Sequence, residues 1–173
     1  MASWIKAGLI GGVVLSALHV LNVLFNYIAP PGVVALACCC GTMLAYLLAC
    51  GGTGALAAQW LPAPRNSGTA AGQGAMAGGL AGLIGGAVNA AAMLIESAVV
   101  DPATVVSRFS PETLNLLKDL GITTEMIESS SGPISRLIGG ACCCGVGVIV
   151  ALALGAIGGA IWAAIRPQES ALE

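Results

Sequence analysis

The sequence predicts an all-α integral membrane protein: four transmembrane helices in two tandem parallel two-helix repeats, with a partly helical polar insertion between helices three and four. Three observations carry that prediction. Charged residues are only 8% of the chain against 57% hydrophobic, whereas a soluble domain carries about 25% charged residues to keep its surface wet. Four apolar stretches are long enough to cross a hydrocarbon core, which takes roughly 20 residues. Finally, the pentapeptide ACCCG occurs at residues 37–41 and again at 141–145.

The first stretch spans about 4–29. Its start, MASWIK, places one positive charge before an apolar run, as a signal peptide does. The run outlasts the usual h-region and no small-x-small cleavage site follows, so a retained helix is expected. The second stretch, about 32–61, follows a tight turn, NYIAPPG, in which Pro30 and Pro31 stop the helix. Together they make a first hairpin over 1–62, and LPAPRNSG supplies a linker at 63–68. The third and fourth stretches, about 69–100 and 134–165, make a second hairpin over 69–166 with a short polar tail at 167–173. Glycine punctuates all four, which membrane helices tolerate better than soluble ones.

The insertion occupies about 101–133. Within it SPETLNLLKDLG reads as a short helix, with Ser110 as N-cap, Pro111 in the first helical position and Gly121 as terminator. Leu114, Leu117 and Leu120 are spaced to share a face, with Leu116 nearby. The expected role is an interfacial cap lying on the bundle; a gate or partner-docking element is the alternative. Its acidity argues against tight binding to anionic lipid.

The two ACCCG copies extend into a longer register. Aligning Cys38 with Cys142 without gaps also pairs Leu48 with Leu152, Ala49 with Ala153, Gly51 with Gly155 and Gly54 with Gly158. AGLIGG likewise occurs at 7–12 and 81–86, tying helix one to helix three. An internal duplication of a hairpin explains both. Two-helix copies enter the membrane in the same direction, related by an axis along its normal.

Lipid supplies no hydrophobic force between helices, so they associate where small residues let backbones approach. Gly74, Gly78, Gly82 and Gly86 recur every fourth residue, a glycine zipper, and Gly8 and Gly12 repeat the spacing on helix one. At about 100° per residue, Asn89 and Glu96 continue the stripe of helix three, and His19, Asn22 and Asn26 that of helix one. Of each cysteine triplet only the third, Cys40 or Cys144, falls near the glycine sector. An intramembrane polar layer of His19, Asn22, Cys40, Asn89, Glu96 and Cys144 is expected.

Ionisable groups in lipid mark functional sites by default, yet each has a plainer reading. Glu96, close to Asp101, snorkels to the interface or makes a structural hydrogen bond before it handles protons. His19 hydrogen-bonds across helices before it serves as a ligand or relay. The cysteines are first small packing residues, then acylation targets, then metal or redox groups. C-x2-C spacing and C-x-x-C-H are absent.

Six Lys/Arg and eight Asp/Glu give a net charge of −2, with no basic footprint for nucleic acid. No Walker loop, G-x-S-x-G or H-E-x-x-H appears. The expectation is therefore a non-enzymatic structural, accessory or assembly subunit, without cofactor or metal, whose partners are the bilayer and a second copy or a membrane complex. A small transporter or channel component is the alternative, and a thiol redox or metal protein ranks below it. Lys6, Arg65 and Arg166 lie on one side of the membrane and Arg108, Lys118 and Arg136 on the other. The positive-inside count slightly favours cytoplasmic termini, in the plasma (inner) membrane.

Overall fold

A computed structural model describes the backbone of residues 2–28, 33–62, 66–99, 111–123, 125–126 and 133–165. Side chains are described for these residues except 26–28, 33–40, 96–99, 113 and 133–143. The described chain is helical, without strands: α1 Ser3–Ile28, α2 Val33–Gln59, α3 Ser67–Val99, α4 Pro111–Asp119 and α5 Pro133–Ile165. The long helices α1, α2, α3 and α5 are all long and apolar enough to cross a membrane.

Local chemistry explains the ends. Asn66 caps α3, its side-chain oxygen accepting from the Gly68 amide at 2.9 Å while its carbonyl accepts from Ala70. Past α2, the Leu61 amide bonds back to Ala58 and Pro62 has no amide to continue the helix. Pro133 opens α5 in the position where a missing amide costs nothing. The cap expected of Ser110 lies outside the described residues.

The chain forms two compact units, Met1–Asn89 with Cys144–Glu173, and Ala90–Cys143. In the first, α1 and α2 run antiparallel with α3 and α5 packed against them. Three small clusters hold it: Ala7, Ala57 and Ala77; Leu15, Cys50, Ala81 and Ala151; and Ala58, Ala70 and Ala163. Among the described residues the largest fully buried side chains are Leu15 and Cys50. Large apolar side chains point outward instead, Val13 at 67% and Leu48 at 75% exposure among them. A water-soluble bundle would be sorted the other way. Small inside and large outside is the arrangement expected when the surroundings are as apolar as leucine and close backbone approach supplies the attraction.

Glycine makes that approach. A Cβ on Gly54 would run into the backbone of Gly155, and one on Gly158 into that of Gly51. In the register set by Cys38 and Cys142, this pair of contacts maps onto itself. Gly74 and Gly78 meet the carbonyls of Gly155 and Ala151, and Gly82 packs on Ala151 and Val148. On α1, Gly8 faces Leu80, Gly12 faces Ile84 and Gly11 faces the Thr53 side chain. All six glycines expected to pack helices thus lie against other helices of the same chain, Gly86 against Cys144.

In the second unit, α4 begins at Pro111 and ends before Gly121, whose φ of 80° only glycine adopts without strain. Leu114 and Leu117 are half-buried but Leu120 is exposed with Leu116. Successive steps of three residues fall back by about 60° each, so the third leucine drifts off the shared face.

Candidate functional site

The core of the first unit gathers the polar side chains that its helices turn inward. On α1, Leu15 and His19 follow one another at helical spacing, as do Tyr46, Cys50 and Thr53 on α2. The third helix brings Ala81, Gly85 and Gly86, and α5 brings Cys144, Gly147 and Ala151.

His19 and Tyr46 stack at a tilt, ring centroids 5.9 Å apart and planes at 60°. Gly85 leaves room for this, since even a Cβ there would come only to 3.8 Å from the imidazole, while meeting Leu15 at 2.9 Å. The Tyr46 hydroxyl and the Cys50 thiol, one turn apart on α2, are polar neighbours. The Tyr46 oxygen lies 3.6 Å from where a Gly147 Cβ would stand. The Cys144 thiol donates to the Gly86 carbonyl at 3.4 Å, joining α5 to α3. The ring contact thus joins α1 to α2 and the Cys144 bond joins α5 to α3, two polar contacts within the first unit's core.

The hydroxyls nearby are satisfied within their own helices. Thr53 donates to Ala49 and Ser16 to Gly12, each at 2.7 Å, the i−4 pattern open to hydroxyl residues in helices. Cys50 has no exposed surface and is a free thiol; Cys144 is free and half-buried. Reactive cysteines sit in partly exposed electropositive surroundings, whereas buried ones are inert. Among the described residues no group of three or more His, Cys, Asp or Glu is placed to hold a metal ion. The arrangement can pin helices and lend a proton donor or acceptor inside the bundle.

Of the residues singled out in the sequence, His19 and Cys144 make these two contacts. Asn22 lines a separate half-open cleft of about 260 Å³ between α1 and α2, with Leu18, Phe25, Gly41, Thr42 and Ala45. Asn89 is half-buried on α3. The side chains of Cys40 and Glu96 lie outside the described residues. Tyr46 and Cys50 escaped the sequence reading, though a signal was there. At about 100° per residue Cys50 falls within about 40° of Gly54, in the glycine sector of α2.

No protein-family model, no curated protein and no solved structure matches the chain.

Proposed function

We propose that the chain is a non-enzymatic multi-pass membrane protein, a structural or assembly subunit, whose partners are the bilayer and a second copy or a membrane complex. It carries no cofactor and binds no nucleic acid, and it works in the plasma (inner) membrane with both termini on the cytoplasmic side. Its helices descend from a duplicated hairpin, a reading supported by the self-mapping contact of Gly54 with Gly155 and Gly158 with Gly51. The observation that carries the functional reading is the same glycine crossing. Where Gly54, Gly74, Gly78 and Gly155 meet, backbone lies on backbone, which favours a rigid scaffold over a conduit between these helices.

The internal glycines being occupied, a partner would use the outer positions where a Cβ meets open space: Gly52 on α2, Gly72 on α3 and Gly145 on α5. The test is purification of the full chain from its membrane in mild detergent, with mass and co-purifying proteins measured together. A constant partner or a discrete oligomer is expected, lost in Gly52→Leu or Gly145→Leu while helicity by circular dichroism stays unchanged. A monomer with no partner would overturn the reading.

The cleft bearing Asn22 favours a second reading, a small transporter or channel component. That reading expects solute flux in proteoliposomes that falls in Asn22→Leu. A thiol redox role ranks third, because Cys50 is sealed from any oxidant by its packing.

A further inference from the structure

Among the described residues, the insertion carries an apolar surface that nothing covers. Around α4, at about 100° per residue, the leucines fill one arc and Glu112, Asn115, Lys118 and Asp119 the other. Leu114 and Leu117, on one flank of the apolar arc, are half-buried. Leu116 and Leu120, on its other flank, are 63% and 69% exposed. Met126, just beyond, is exposed as well.

This face belongs to a finished element. Pro111 opens the helix, and a Schellman motif closes it: the Gly121 amide bonds to Lys118 at 3.0 Å and the Ile122 amide to Leu117 at 2.9 Å. The second bond brings Ile122 back beside Leu117 and holds the amphipathic sector in register.

The tether, area and charge of this face select what covers it. First, α4 is tethered on both sides to α3 and α5, which are long and apolar enough to cross a membrane. At no more than about 3.5 Å per extended residue, residues 100–110 keep α4 within about 40 Å of the end of α3. Second, a few exposed side chains present on the order of a few hundred Å², well short of the roughly 800 Å² each partner contributes to a stable protein interface. Third, Glu112, Asp119 and Glu125 outweigh Lys118, so an anionic surface repels the segment and a zwitterionic one does not.

We propose that α4 is an interfacial helix, lying along the leaflet on its side of the membrane. Leu116 and Leu120 enter the boundary between head groups and acyl chains, and Glu112, Asn115 and Asp119 face water. The preferred surface is zwitterionic lipid. The proposal rests on the long helices being membrane-spanning, and the test separates the two ideas.

Full-length protein is reconstituted into nanodiscs of phosphatidylcholine with or without bromine on the acyl chains. Tryptophan is added singly as Leu116→Trp or Asn115→Trp, and the fluorescence of the parent is subtracted. The parent's own three tryptophans report whether the bundle is in the bilayer; if brominated lipid leaves them unquenched, the membrane reading fails first. Otherwise brominated lipid should quench the added signal at 116 by about half or more and that at 115 far less, with aqueous acrylamide giving the reverse order. Acrylamide reaching 116 as readily as 115 would overturn the proposal by placing the face in water. Quenching of 116 by neither agent would overturn it by showing a protein cover. Replacing half of the lipid with phosphatidylglycerol should not raise quenching at 116, and a rise would overturn the zwitterionic preference.

Discussion

Gly54 and Gly155 meet so closely that a Cβ on Gly54 would take the place of the Gly155 carbonyl. Neither backbone can yield without shifting a whole helix. Gly54→Ala should therefore destabilise the bundle by about 1–3 kcal/mol, the usual cost of overpacking, and Gly155→Ala by a similar amount. Gly52→Ala, next door but facing open space, should change little. Unfolding equilibria in mixed micelles measure all three.

A second contact is softer. A Cβ on Gly11 would collide with the side chain of Thr53, reaching Cγ2 at 2.7 Å and Cβ at 3.0 Å. Thr53→Ala removes the hydroxyl and the methyl but keeps the Cβ. Gly11→Ala should thus cost clearly less in a Thr53→Ala background, with a coupling of about 0.5–3 kcal/mol. Additive single and double variants, measured as above, would refute the contact.

The two described thiols should differ in access. A small membrane-permeant maleimide, read out by peptide mass spectrometry, should label Cys144 slowly in the folded protein and Cys50 only after denaturation. Tyr46→Phe removes the hydroxyl beside Cys50 and should cost no more than about 0.5–1.5 kcal/mol. It should leave Cys50 protected, because Leu15, Ala81 and Ala151 enclose that thiol.

At the end of α4, Gly121→Ala forces a side chain into left-handed backbone, at about 1–2 kcal/mol. The cost is local. Hydrogen exchange should quicken at the amides of residues 121 and 122 while the bundle's slow amides keep their rates.

The long helices were legible because hydrocarbon selects for unbroken apolar runs, and a long apolar helix occupies each of the four stretches. The start and stop of α4 were equally plain, written in Pro111 and Gly121. What escaped was partnership. Tyr46 and Cys50 sit in a run where nearly every residue is apolar, so hydropathy does not single out the inward face. The AGLIGG copies illustrate the same limit: Gly8 meets Leu80 and Gly12 meets Ile84, whereas Gly82 meets Ala151 and Gly86 meets Cys144. A glycine's neighbour is decided by where two helices cross, and a shared motif carries no information about that.

The inverted sorting of side-chain size has a practical consequence for mutational mapping. An alanine scan finds important residues by deleting atoms, and the centre of this protein has few atoms to delete. Most of its interior positions are already alanine or glycine. Such a scan would report an almost silent core and draw attention to the lipid-facing leucines. Here the instructive experiment adds volume. A scan to leucine or phenylalanine would trace the helix crossings position by position, because the fold is specified by the places where side chains are missing.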